Sequence, residues 1–175
     1  NLKSKNKEFG SDLDNTLEQI QNKVLWLAVY MVDYANKHRA SPSGLKVGGH
    51  QASSSSVATI MTYLFFEFMK NTDVISIKPH SSPVYHAIQY LLGNLDKEYL
   101  KALRAFGGLQ AYPSRTKDPD NVDFTTGSVG LGAVAPNFAW LASEYIHSRF
   151  DLPSETKGNF ISLVGDAELD EGVVW

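Results

Sequence analysis

Four carboxylates crowd one short stretch of the chain. Gly165-Asp166-Ala167-Glu168-Leu169-Asp170-Glu171-Gly172 follows directly on the apolar run Asn159–Val164. Ligands of open α/β sheets bind outside the carboxyl ends of the strands. An acid in that position can hold Mg2+, which takes oxygen ligands and shares them with phosphates, and Gly165 lets the backbone come close to such a phosphate. The same four acids also suit the start of a helix, where they complement its dipole. A second group, Gly127-Ser128-Val129-Gly130-Leu131-Gly132, opens a helix; small residues there admit a ligand to the free N–H groups, or simply allow tight helix packing. His50 and His80 lie in loops beside glycine or proline and close to serines. Near neutral pH an imidazole in such a loop can move a proton or hydrogen-bond a phosphate or an oxyanion, and it can equally be a surface group. His38, His86 and His147 fall on helices and read as structural. Tyr112, in a long polar loop, either lines a pocket or anchors that loop.

These residues need elements to position them. Leu13, Leu17, Ile20, Val24, Leu27, Ala28, Met31 and Ala35 recur at helical spacing, which predicts one long helix over residues 12–38 with Ser11 or Asp12 as its cap and a single buried stripe. Ser41-Pro42-Ser43-Gly44 breaks it, and Lys46-Val47-Gly48-Gly49-His50 forms a compact loop. A second helix is expected over 53–70. A strand at Val74–Ile77 delivers Lys78-Pro79-His80, and Ser82 and Pro83 then cap and open the next helix. Asp96 should cap a short helix carrying Leu100, Leu103 and Phe106. The loop Gly107–Thr126 follows; a connection that long in a compact domain is generally functional. The last helix is expected over 128–149 and the clearest strand over 159–164. Two strands among about five helices are fewer than a covered parallel sheet normally needs. The expected fold class is therefore an α/β parallel sheet flanked by helices, incomplete and helix-rich. An amino-terminal helical extension spans 1–45 and a partial ligand-binding domain spans 46–175, with a helix just beginning at Val173-Val174-Trp175.

Composition narrows the function. At 175 residues, 43% apolar and 20% charged, the chain has the make-up of one globular domain. A net charge of −3 with scattered basic residues offers no stripe for nucleic acid. Without cysteine there is no disulfide, no thiolate metal site and no cysteine nucleophile, which fits a cytoplasmic location. No signal-like h-region and no membrane-length apolar run occurs.

In order and spacing, Gly48-Gly49-His50, Lys78-Pro79-His80, Thr125–Gly132 and Gly165–Gly172 resemble the amino-terminal, diphosphate-binding domain of thiamine-diphosphate enzymes of the transketolase superfamily, over about residues 20–175. The segments Val47–Ser53 and Gly108–Pro113 are most similar to the homodimeric first component of pyruvate dehydrogenase complexes. The resemblance implies thiamine diphosphate and Mg2+ as cofactors. It makes Asp166 the metal ligand, sets Gly165, Ala167 and Glu168 along the diphosphate, and puts Gly127, Val129 and Tyr112 beside the cofactor. His50, Ser53 and His80 then face the cofactor and the substrate carbonyl, and Glu171 connects the two active sites of a homodimer. His50, His80 and Glu171 are the catalytic expectations.

The chain departs from the family pattern at Ala167, which replaces a glycine, and at Lys78-Pro79, where the family has a polar residue and a glycine. The asparagine motif that completes the signature would lie beyond Trp175. The expected activity is decarboxylation of a 2-oxo acid such as pyruvate by the parent protein, in partnership with the rest of its own chain or a second subunit and with a lipoyl-bearing acyltransferase. Transketolase-type two-carbon transfer is the alternative. Two further readings are a non-catalytic dimerisation or binding module, and a metal-dependent hydrolase built on Asp166, Glu168 and Asp170.

Overall fold

A computed structural model describes the backbone of residues 2–40 and 44–175, with side chains from residue 12 onward. The expected break at Ser41-Pro42-Ser43 and the side chain of Ser11 lie outside the described residues. The chain opens with helix α1, Leu2–Asp33, which continues as a π turn over Tyr34–His38. The helix thus runs well before the expected start, and Asp12 sits inside it rather than capping it. Burial begins only at Val24: Val24, Leu27, Ala28, Met31, Val32 and Ala35 are at most 3% exposed, whereas Leu13 is 43% exposed. The carboxyl-terminal half of the predicted stripe therefore enters the core and the first turns do not.

The second predicted helix is broken in two, α2 (Gln51–Ser55) and α3 (Ala58–Tyr63), with a π turn over Leu64–Phe68. The run Ser53–Ser56 supplies the reason. Ser55 Oγ donates to the carbonyls of Gln51 and Ala52, and Ser56 Oγ to that of Ser53. Such side-chain bonds compete with the helical ladder for its acceptors.

Strand β1, Val74–Ser76, leads through a 3-10 turn, Pro79–Ser81, into helix α4, Ser82–Leu91. The N-cap is Ser81, one residue before the one predicted, while Ser82 Oγ donates across to the Ala111 carbonyl at 3.2 Å. Every residue of α4 from Ser82 to Gln89 is buried, against α1 on one side and α3 on another. The expected helix after Asp96 shrinks to a 3-10 turn, Lys97–Lys101, and the Asp96 side chain makes no capping bond. Arg104 takes a left-handed φ of 56°, Leu109 N–H bonds back to Ala102 O, and Arg104 N–H to Leu109 O. That tight reversal leaves Leu103 in the core and Phe106 in solvent.

Helix α5, Leu131–Phe150, starts after Gly130, whose φ of 80° is closed to an L side chain and excludes Ser128–Gly130 from the helix. Strand β2, Phe160–Ser162, then pairs parallel with β1, Ile75 opposite Ile161. Among the described residues the sheet has these two short strands, a helix-rich α/β arrangement with little sheet. The residues after β2 form 3-10 turns, Asp166–Asp170 and Gly172–Val174. A single core joins α1, α3, β1 and α4 through Met31, Met61, Ile75, Val84 and Ile88. No helix among the described residues is long and apolar enough to cross a membrane.

Candidate functional site

Three segments far apart in sequence converge on one cavity of about 810 Å3: His50 and Ser53 from the start of α2, His80 from the turn after β1, and Tyr112 from the long loop. Asn36, Lys46 and Arg104 complete its polar lining. Tyr112 Oη lies 3.2 Å from His80 Nε2, with the rings edge-to-face at 5.3 Å. One of the two donates to the other, according to the imidazole tautomer. Ser53 Oγ is buried and has no hydrogen-bond partner among the described residues. A buried hydroxyl is normally satisfied, so this one marks a place where a polar ligand atom would be accepted. The lining pairs four groups able to carry positive charge, Lys46, His50, His80 and Arg104, with no carboxylate. It favours an anionic ligand.

The loop that presents His50 is held from two sides. Gly48 N–H donates to Asn36 Oδ1 at 2.7 Å, and Arg104 Nη1 donates to the Val47 carbonyl at 3.1 Å. Gly48 lies so close to α1 that a Cβ there would stand 2.5 Å from the Val32 carbonyl oxygen. Composition alone gave no sign of Arg104 and Asn36; their signal is tertiary.

The long loop, expected to be functional, owes its order to three acids that the sequence reading passed over. Asp118 takes the N–H groups of Gln110 and Ser114, both at 2.7 Å, and so folds the loop around Tyr112. Asp120 Oδ2 meets His86 Nδ1 at 2.6 Å, both side chains fully buried. His86, read as structural, is therefore half of a buried polar pair, and its position inside the apolar run of α4 was the available clue. Asp123 Oδ2 accepts the Ile75 N–H at 2.9 Å, satisfying the free edge of β1. Burial pushes the Asp123 carboxyl above its ordinary range, against the N–H of Ile75 and the charge of Arg115. Tyr85, whose hydroxyl donates to the Asn121 carbonyl, is pushed up by burial and further by Asp120, Asp123 and Asp118.

The remaining predicted residues gather elsewhere, at the carboxyl end of β2. Gly165 N–H donates to Glu168 Oε2 at 2.8 Å; Glu168 is 4% exposed and its other oxygen has no partner among the described residues. That oxygen and Ser76 Oγ both face Gly132 at the start of α5. Glu168 is thus buried, with one oxygen holding the Gly165 N–H and the other unpartnered among the described residues. Asp166 and Ala167 are exposed on their 3-10 turn. Gly127 has φ +60° with open space around its α-carbon, and Val129 is exposed. Glu171 is exposed and packs its Cβ under Gly130, outside the histidine cavity. Among the described residues no three His, Asp or Glu side chains are grouped to hold a metal ion. Asp166 supplies one carboxylate, which alone does not make the octahedral site Mg2+ requires, and Asp166, Glu168 and Asp170 do not form the ligand set of a metal-dependent hydrolase.

Comparison with known proteins gives the geometry a context. The pyruvate dehydrogenase E1 component of Buchnera aphidicola (subspecies Acyrthosiphon pisum) is 31% identical over 163 residues, 88% of this chain and 18% of that protein. Those of Mycolicibacterium smegmatis and Escherichia coli K12 are also 31% identical, over 85% and 87% of this chain. Over most of its length the chain is thus similar to one part of pyruvate dehydrogenase E1 components. It spans 16–18% of the length of these relatives. No family model matches the chain.

Proposed function

We propose that this chain is the diphosphate-binding segment of a thiamine-diphosphate-dependent, pyruvate dehydrogenase-type decarboxylase of 2-oxo acids. The observation that carries the reading is the convergence of His50, Ser53, His80 and Tyr112 on one carboxylate-free cavity. The residues present fit the organic cofactor, since a buried unpartnered hydroxyl and two imidazoles face the same space. They do not by themselves fit Mg2+, for which Asp166 is the one proposed ligand. When bound, thiamine diphosphate supplies the carbanion-stabilising chemistry of such enzymes. The chain's own work is electrostatic. Lys46 and Arg104 attract an anionic substrate, and His50 and His80 donate to oxygen atoms where negative charge grows. Tyr112 fixes the orientation and protonation of His80 through Nε2. Backbone at Gly127 leaves room for the cofactor, with Val129 beside it; Gly165, Ala167 and Glu168 are assigned along its diphosphate, and Glu171 to the dimer partner's side. A homodimer and a lipoyl-bearing acyltransferase are the partners this reading implies.

Calorimetric titration of the intact protein with thiamine diphosphate and Mg2+, together with steady-state decarboxylation of pyruvate, tests it. Saturable binding is expected. His80→Ala should lower kcat/KM by roughly 10²- to 10⁴-fold, and Tyr112→Phe should lower kcat with a smaller change in cofactor affinity. An intact protein that binds no thiamine diphosphate would overturn the reading and leave a non-catalytic association module, which the exposed apolar face of α5 supports.

A further inference from the structure

We propose that Arg104 binds a second, retained anionic group of the substrate, so that the histidine cavity selects 2-oxo acids with a further carboxylate over pyruvate; this deepens the decarboxylase reading and rests on it. Arg104 lines that cavity, and its backbone is set there under constraint. Its φ of 56° is left-handed, uncommon for an arginine. The conformation is held by the Arg104 N–H on the Leu109 carbonyl at 2.7 Å and by Arg39 Nη2 on the Arg104 carbonyl at 3.4 Å. Backbone held in such a region collects at ligand clamps, where the surrounding structure fixes it.

The guanidinium is only partly used. Nη1 donates to the Val47 carbonyl at 3.1 Å. A Cβ at Gly49 would lie 3.2 Å from Nη2, 3.4 Å from Cζ and 3.5 Å from Nη1, nearly equidistant, so Gly49 covers the flat of the group rather than its edge. Along that edge Nε and Nη2 have no hydrogen-bond partner among the described residues, and Nε is buried. A buried donor is normally satisfied. Two parallel N–H groups on one arginine edge are the geometry that takes a carboxylate through both of its oxygens. Lys46, exposed at the rim, adds a second fixed charge, and no Asp or Glu lines the cavity.

The chemistry of decarboxylation decides which carboxylate this is. The one next to the carbonyl leaves as neutral CO2, so its charge shrinks on the way to the transition state. A cation paired with it would hold the ground state more tightly than the transition state and slow the step. A carboxylate at the far end of the substrate keeps its charge throughout, and a cation there strengthens binding without opposing the reaction. Pyruvate has no such group. The cavity of about 810 Å3, with two fixed cations, has room and charge for one.

The test compares 2-oxoglutarate with pyruvate as substrates of the intact protein, and glutarate with butyrate, which cannot react, as calorimetric ligands. The proteins are the wild type, Arg104→Lys and Arg104→Gly. Glycine accepts the left-handed backbone, so that variant removes the guanidinium and keeps the turn. The wild type should show the higher kcat/KM with 2-oxoglutarate and bind glutarate more tightly than butyrate. Both variants should lower the 2-oxoglutarate-to-pyruvate ratio of kcat/KM by roughly ten- to a hundredfold, the range of one charged hydrogen bond, mainly through KM. Wild-type preference for pyruvate, or glutarate bound no more tightly than butyrate, overturns the proposal. So does an equal loss on both substrates, which would make Arg104 only a support of the His50 loop through Val47. Glutarate binding that depends on Arg104 in a protein that decarboxylates neither acid would instead overturn the decarboxylase reading.

Discussion

Single carboxylates do more to hold this molecule than their exposure to solvent in an unfolded chain would lead one to expect. Asp73 shows the mechanism most plainly. It accepts the Asn159 N–H at 2.7 Å, the Asn159 side-chain amide at 3.1 Å and the Lys70 N–H at 2.9 Å, and so ties the turn before β1 to the start of β2. Burial pushes its pKa up, but the N–H donors of Asn159 and Lys70 outweigh burial and hold the carboxyl below its ordinary value. The sign of the pH effect follows. A depressed folded-state pKa contributes stability that is fully present above the unfolded value of about 3.9 and is lost as pH falls through the folded one. Asp73→Ala should therefore cost about 2–4 kcal/mol at neutral pH, because three donors lose their acceptor. Urea titration should show the gap between the variant and the wild type narrowing at pH 3. Equal pH dependence in both would refute this account. Asp118, Asp120 and Asp123 likewise hold the long loop by accepting hydrogen bonds, each from a different neighbour.

Among the elements, the packing of the His50 loop on α1 is the most constrained. The Gly48 α-carbon rests against the backbone of that helix, and a Cβ would collide with the Val32 carbonyl at 2.5 Å. Backbone cannot yield as a side-chain tip can. Gly48→Ala should thus cost about 1–3 kcal/mol, the range of overpacking, and should displace His50. A thermal melt paired with cofactor titration checks both parts; a variant with wild-type Tm and affinity would show that the loop moves freely. The helices themselves follow their apolar periodicity where they reach the core, as α4 and the second half of α1 do. They depart from it where local chemistry intervenes: at the serine run that splits α2 from α3, and at Arg104, whose left-handed backbone ends the turn after Asp96. Both events reflect hydrogen bonds between particular groups, to which hydrophobic spacing is blind.

At the scale of the whole molecule, α5 rests on both strands and on the turns after β2, but little covers its other sides. Phe138, Tyr145 and Phe150 are each 66% exposed, with Trp140, Leu141 and Ile146 beside them. Exposed apolar side chains in that number are the kind of surface through which proteins associate. The 175-residue polypeptide on its own should self-associate in sedimentation velocity, and Phe138→Lys with Tyr145→Lys should shift it toward monomer. A monodisperse monomer without these substitutions would show that the face is tolerated in water. The sequence by itself determined which residue types were available and which faces were apolar: the buried stripe from Val24 to Ala35, the apolar face of α4, the two strands, and the histidines and acids in loops. These are local quantities, fixed by spacing and side-chain chemistry. Only the tertiary structure decided that His50, Ser53, His80 and Tyr112 share one cavity while Glu171 faces elsewhere. It also decided that Glu168 is buried, that Asp120 belongs to His86, and that the Arg104 guanidinium lies against Gly49. Each of these is a meeting of groups far apart in the chain, set by how helices pack and which buried donors need acceptors, and no local pattern encodes it.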